Sequence, residues 1–280
     1  MATASSLPTR ADRIVVMGVL NVTPDSFSDG GEWFDRDAAV AHGREMIAQG
    51  AAIIDIGGES TRPGAAPVAA GEELARVVPV IEALRGSGPH PSAVLSVDTS
   101  KAAVARAALD AGATYVNDVT ALRGDAEMAA LVAQAGCDLC LMHMLGDPGT
   151  MQVDPRYDDV VTDVRAFLEE RLAFAVSAGI AEERISVDPG IGFGKTLEHN
   201  LALLRRLDEI VAIGRPVVIG TSRKSFLGKI TGRDDPHQRV LGTVASNVLA
   251  YERGAEVFRV HDVAASRDAL AVAAATLGEA

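Results

Sequence analysis

The chain reads as a single-domain α/β protein, a (β/α)8 TIM barrel, and three features of its sequence predict this. Eight short runs are almost continuously apolar, as strands covered on both faces must be. Ala-rich helical stretches, most of them ending at Gly, separate the runs. A further helical stretch, ALAVAAATL (269–277), follows the last run. A doubly wound sheet is the structural alternative, but it rarely strings eight such units together without a domain break. No linker appears here, and GSGPHPS (86–92) reads only as a loop. Residues 1–13 carry none of these signals and are expected to form a flexible tail, with the barrel spanning 14–280.

The expected strands, in order, are IVVMGVLNV (14–22), AAIIDIGG (51–58), AVLSVDT (93–99) and TYVNDVT (114–120). DLCLMHM (138–144), ISVDPG (185–190), PVVIGTS (216–222) and VFRVHDV (257–263) complete the set. SKAAVARAALDAG and AEMAALVAQAG are strong helix formers. Gly50, Gly112, Gly136, Gly179 and Gly254 each stand where a left-handed residue closes a helix. Ser100 and Ser222 stand at N-cap positions. The first two strands are followed by surplus residues, TPDSFSDGGEWF (23–34) and ESTRPGAAPVAAG (59–71). Long Gly- and Pro-rich loops after barrel strands serve as binding loops or as passive connections. The charged and hydroxyl groups in both favour binding.

Composition excludes several functions. With 26 Lys and Arg against 38 Asp and Glu, the net charge is −12, without the basic face that nucleic acid requires. The longest near-apolar stretch, Ile14 to Val22, falls well short of the roughly 20 residues of a membrane span. The N-terminus lacks the apolar segment of a secretory signal, so a soluble cytoplasmic protein is expected. The two cysteines, Cys137 and Cys140, cannot build a disulfide framework, and on a strand they face opposite sides.

Nearly every expected strand ends in a polar group, and barrel enzymes carry their chemistry at that rim. Asn21 ends the first strand and Asp98 the third, Asn117 and Asp118 the fourth, His143 the fifth and Asp188 the sixth. Ser222, Arg223 and Lys224 follow the seventh, and Arg259, His261 and Asp262 lie on the eighth. Strand parity puts Ser96 with Asp98, Ser186 with Asp188, and Arg259 with His261. Met142 and His143 must point opposite ways, so one at most lines a pocket, and a hydrogen-bonded His143 outside it is the favoured reading. Asp98, Asn117 and Asp188 offer acceptors and an amide to a planar, N–H-rich heterocycle. Lys224, Arg259 and His261 lie at the usual phosphate corner, which Arg62 can reach. Ser222 is read as opening a helix whose N-terminus attracts an anion. The expectation is that one side reads a ring and the other holds anions.

DPGIGFGKT (188–196) is not a Walker A loop, because Pro189 occupies the position of its first Gly. Gly190, Gly192 and Gly194 are also spaced wrongly for a dinucleotide fingerprint. Phe193 is read instead as an aromatic that stacks on a flat ring. No nucleophile stands beside a general base, and no Cys/His metal cage is present. Mg²⁺ would find Asn21 as its protein ligand, with phosphate oxygens and water supplying the rest.

MGVLNVTPDSFSDGG (17–31) and DIGGESTRPGA (55–65) resemble the two signature loops of dihydropteroate synthases. SVDT, VNDV, MHM, DPGIGFGKT, GTSRKSF and RVHDV resemble that family too, in its order, so the likeness covers about residues 14 to 277. The resemblance implies condensation of 6-hydroxymethyl-7,8-dihydropterin pyrophosphate with p-aminobenzoate, giving 7,8-dihydropteroate and pyrophosphate in folate biosynthesis. It implies pterin contacts from Asp98, Asn117, Met142, Asp188, Phe193 and Lys224. Pyrophosphate falls to Arg62, Arg259 and His261, with Mg²⁺ at Asn21. Phe27, Thr61, Pro63 and Ser222 are implied for p-aminobenzoate, and Asp29, Arg62 and Lys224 for catalysis. A homodimer and sulfonamide sensitivity are also implied. Leu145 departs from the family, whose members often carry a basic residue there. Two alternatives remain. A methyltetrahydrofolate:corrinoid methyltransferase should lack both p-aminobenzoate loops, and a silent pterin-binding paralogue should have degraded ones.

Overall fold

A computed structural model describes residues 14–23, 36–60, 64–86, 93–147 and 149–278. Its eight strands are β1 (Val15–Asn21), β2 (Ile53–Gly57), β3 (Val94–Asp98), β4 (Tyr115–Asp118), β5 (Asp138–Met142), β6 (Ile185–Asp188), β7 (Val218–Ile219) and β8 (Val257–Val260). They form one parallel sheet in the order β6-β5-β4-β3-β2-β1-β8-β7. A lighter seam completes the ring: Val187 pairs with Val217, and its N–H donates to the Pro216 carbonyl at 3.0 Å. The eight-stranded barrel expected from the sequence is therefore the architecture. The expected tail, residues 1–13, lies outside the described residues.

Helices pack around the cylinder: α1 (Arg36–Ala48), α2 (Ala70–Leu84), α3 (Ala102–Ala111), α4 (Met128–Ala135) and α5 (Val160–Ser177). Two helices follow β6, α6 (Leu197–Arg205) and α7 (Leu207–Val211), and two follow β7, α8 (Ser225–Thr231) and α9 (Val240–Glu252). The last is α10 (Val263–Thr276). The strands stop earlier than the apolar runs do, most of all β7, because the run ends lead into turns at the rim. Ser100 and Ser222 are not caps: the N-cap residues of α3 and α8 are Lys101 and Lys224. Ser222 therefore lies ahead of a seven-residue helix and does not open it.

Strand parity creates two apolar layers. Val15, Met17, Ile53, Tyr115, Cys140, Val218 and Val257 fill the barrel's interior. The alternate residues, such as Val16, Ile54, Val97, Val116, Leu139 and Phe258, pack outward against the helices. Cys140 belongs to the inner layer and Cys137 to the outer, so the two thiols do face opposite sides. Both are buried and free.

Candidate active site

Two residues further along the inward-facing positions, the plug turns polar. Asp55 stands above Ile53, Asn117 above Tyr115 and Arg259 above Val257, with Ser96 paired to Asp55 across the strands. Asp55 is fully buried and organises the layer. Its Oδ1 accepts from Ser96 Oγ at 2.6 Å, and its Oδ2 from Asn117 Nδ2 at 2.9 Å and from Arg259 Nε at 2.6 Å. Arg259 Nη2 also donates to Asp98 Oδ2 at 2.7 Å. Desolvation pushes the Asp98 carboxyl pKa up; the Arg259 charge opposes that and Asp55 adds to it. Burial works against the charge on Arg259, yet Asp55 and Asp98 outweigh it and raise its pKa.

The opposite arc is built by the loop after β6. Asp188 Oδ1 accepts from the Gly190 N–H at 2.7 Å. Its pKa is also raised by desolvation, against the charges of Lys224 and Arg259. Arg259 is thus felt at both Asp98 and Asp188, and the acids surround one guanidinium. Lys224 Nζ donates to the Ile191 carbonyl and lies 4.6 Å from the Phe193 ring centroid. Desolvation lowers its pKa to about 8, with Asp188 acting the other way. Phe193 packs against Val119, Met142, Met144 and Met151, an apolar wall facing the charges. At the β8 side, Ser222 Oγ accepts from the His261 N–H at 3.0 Å and sits 2.9 Å from His261 Nδ1.

The backbone of DPGIGFGKT needs glycine here. Gly190 has φ +66°, and a Cβ on it would lie 1.8 Å from the His143 carbonyl oxygen. This tight crossing keeps Asp188 and Phe193 on the same rim.

Several expected residues converge: Asp98, Asn117 and Arg259 share one hydrogen-bonded layer, while Asp188, Lys224, Phe193 and Met142 line the arc beside it. Asn21 ends β1 opposite Gly57, on the inward parity of Val15 and Met17. The expected separation of charges by sign does not occur, because Arg259 pairs directly with Asp55 and Asp98. Asp118, His143 and Asp262 do other work. Asp118 is buried and accepts from the N–H groups of Thr120 and Leu122, closing the turn after β4. Asp262 pairs with Arg223 through two hydrogen bonds of 2.6 and 3.0 Å. His143 is buried, with Nδ1 3.0 Å from Lys195 Nζ and its ring edge-on to Phe167. Burial, helped by Lys195 and Arg123, pushes its pKa down to about 2. Phe27, Asp29, Thr61, Arg62 and Pro63 lie outside the described residues.

Two buried residues escaped sequence reasoning. Asp55 sits in mid-strand, away from the strand ends where barrel enzymes carry their chemistry. Its signal was a carboxylate in a buried apolar run, which must find partners. Lys195, in the rejected Walker-like stretch, is buried and donates to the Phe193 carbonyl at 3.0 Å. Desolvation holds its pKa well below the usual lysine value. Nothing local in the sequence marks it as internal.

A family model described as pterin binding enzyme matches residues 17–261. The class defined by this barrel and its rim is that of the pterin-binding enzymes. The chain is 48% identical over 262 residues to the dihydropteroate synthase of Haemophilus influenzae, covering 93% of each chain. It is 48% identical over 270 residues to that of Mycobacterium leprae, covering 94% of each. Among solved structures it is similar to the Xanthomonas albilineans dihydropteroate synthase with 4-aminobenzoic acid. There the TM-score is 0.89 and the identity 50%, over 95% of this chain and 94% of that one. The chain belongs to the dihydropteroate synthase family, transferases of folate biosynthesis that join a dihydropterin pyrophosphate to p-aminobenzoate.

Proposed function

We propose that the polar rim performs this condensation as an SN1-like substitution, with the residues in the following roles. Asp98, Asn117 and Asp188 bind the amidine-like edge and ring nitrogens of the pterin. Met142 and Phe193 cover its faces, and Lys224 reaches its carbonyl and ring nitrogen. Arg259 and His261 hold the pyrophosphate together with Arg62. Ser222 takes the p-aminobenzoate carboxylate, in a site completed by Phe27, Asp29, Thr61, Arg62 and Pro63. The X. albilineans enzyme has been captured with 7,8-dihydropteroate, the product such a site must hold.

The observation that carries this reading is the position of Arg259. A guanidinium held by Asp55 and Asp98, and felt at Asp188, stands where pterin-reading acids and a departing anion meet. The exocyclic C–O bond breaks, and its electron pair leaves on the pyrophosphate. The positive charge left on the methylene spreads into the pterin ring, which Asp98 and Asp188 favour electrostatically. The aniline lone pair forms the C–N bond, and the nitrogen then releases a proton. This route needs no covalent intermediate, in keeping with a sequence that places no nucleophile beside a general base.

Among the described residues no group of three or more His, Cys, Asp or Glu could hold a metal ion. The one hard oxygen donor expected for the metal, Asn21, fits an ion carried chiefly by phosphate oxygens and water. Bound there, Mg²⁺ would neutralise charge on the leaving pyrophosphate. A cytoplasmic homodimer is part of the same proposal. Among the described residues no helix is long and apolar enough to cross a membrane.

Purified protein incubated with the pterin pyrophosphate, Mg²⁺ and p-aminobenzoate should release dihydropteroate and pyrophosphate in equal amounts. Pterin binding without product would favour the silent paralogue. A sulfonamide should compete with p-aminobenzoate, as suggested by the Yersinia pestis enzyme solved in a sulfonamide complex. Sedimentation should give twice the chain mass of 29.1 kDa.

A further inference from the structure

A second charged cluster lies away from the pterin-reading layer, and the reaction assigned above makes no use of it. Glu59 follows β2 by two residues, Glu73 lies in the first turn of α2, and Lys101 is the N-cap residue of α3. Lys101 Nζ donates to Glu59 Oε2 and to Glu73 Oε2, each at 2.5 Å. Glu73 is wholly buried, whereas Glu59 and Lys101 keep about a quarter of their side chains exposed. The second oxygen of Glu59, Oε1, accepts from the Val68 N–H at 2.9 Å. One carboxylate thus ties together the two ends of the stretch from Glu59 to Val68 and fastens both to Lys101. The base of the stretch is held from the other side, where Arg76 Nη1 donates to the Gly58 carbonyl at 2.6 Å.

Surface ion pairs contribute little to stability, and a buried one is often replaceable by apolar groups. A fully buried Glu73 whose Oε1 has no partner among the described residues is therefore costly as a stability device. Its position suggests another purpose. Lys101 lies three residues beyond Asp98, and Glu59 two residues before Thr61. The cluster joins the strand end assigned to the pterin to the stretch assigned to p-aminobenzoate.

We propose that Glu59, Lys101 and Glu73 act as positioning residues, fixing Glu59 and Val68 against the start of α3, just beyond β3, so that the second substrate meets the first. This rests on the roles proposed above for Asp98 and for Thr61 to Pro63. None of the three touches the reacting atoms.

The test is steady-state kinetics on the full-length chain with pterin pyrophosphate and p-aminobenzoate, beside equilibrium binding of the pterin pyrophosphate alone and thermal melting. Glu59→Ala should raise KM for p-aminobenzoate about tenfold and lower kcat, since small misplacements of a reactant are costly. Its pterin affinity should stay within about twofold of the parent. Glu59→Gln, which keeps an oxygen for Val68, should recover part of the loss. The double change Lys101→Met with Glu73→Gln removes the clamp without leaving a buried charge, and should reproduce the KM effect. A lowered melting temperature with unchanged KM and kcat in Glu59→Ala would overturn the proposal, leaving a merely structural cluster. A parent chain that binds pterin pyrophosphate but forms no dihydropteroate would overturn the assigned reaction, and this proposal with it.

Discussion

Asp55→Asn keeps shape and removes charge from the centre of the polar layer. Asp55 accepts three hydrogen bonds, from Ser96, Asn117 and Arg259. An asparagine would turn its nitrogen toward Ser96, whose hydroxyl can rotate to accept, and keep its oxygen for Asn117 and Arg259. The main loss is then the ionic character of the bond to Arg259. A hydrogen bond to a charged group contributes about 1.5–3 kcal/mol and a neutral one about 0.5–1.5 kcal/mol. Arg259 retains Asp98, so the net cost should be about 1 kcal/mol. In a chain of this size that lowers the melting temperature by about 2–4 °C. Asp55→Ala goes further, leaving a buried guanidinium with one carboxylate and Asn117 without its acceptor, which costs about 3–5 kcal/mol. Thermal melting and kcat/KM should be measured on both variants. Both should lose activity, by about 10- to 100-fold in Asp55→Asn, because the anchor that Asn117 and Arg259 share is weakened there and absent in Asp55→Ala. If Asp55→Ala melts no lower than Asp55→Asn, or if Asp55→Asn has parental kcat/KM, Asp55 does not organise the layer.

Lys224 should impose a basic limb on pterin binding. Its pKa is lowered to about 8, so the ammonium that donates to a ring carbonyl is present below that pH and lost above it. Binding should weaken as pH rises through 8, and Lys224→Arg should move the limb out of range; a flat parental profile to pH 9 would contradict this. Because Asp188 holds the Lys224 pKa up, Asp188→Asn should shift the limb to lower pH, readable by the same titration. Gly190→Ala combines φ +66° with a Cβ 1.8 Å from the His143 carbonyl oxygen. It should destabilise the fold by at least about 4 kcal/mol or displace the loop; normal melting together with normal pterin affinity would refute the claim.

The barrel was legible because burial on both faces leaves a continuous apolar run, and eight such runs alternating with Ala-rich stretches admit few arrangements. Asp98, Asn117, Asp188 and Arg259 were legible for a related reason: a polar group on the inward parity near a strand end has a known destination in this architecture. Parity also separates Met142 from His143, since adjacent residues on a strand face opposite sides.

What the tertiary structure alone decided is which charge meets which. Arg259 and Asp55 are 204 residues apart in the chain, yet their side chains approach to 2.6 Å. No local pattern encodes a pairing across strands that becomes neighbourly only when the cylinder closes. The same holds for Lys195 beside His143 and for Lys101 between Glu59 and Glu73. Residue types and periodicity determined which groups face inward; the closing of the ring determined which partners they meet.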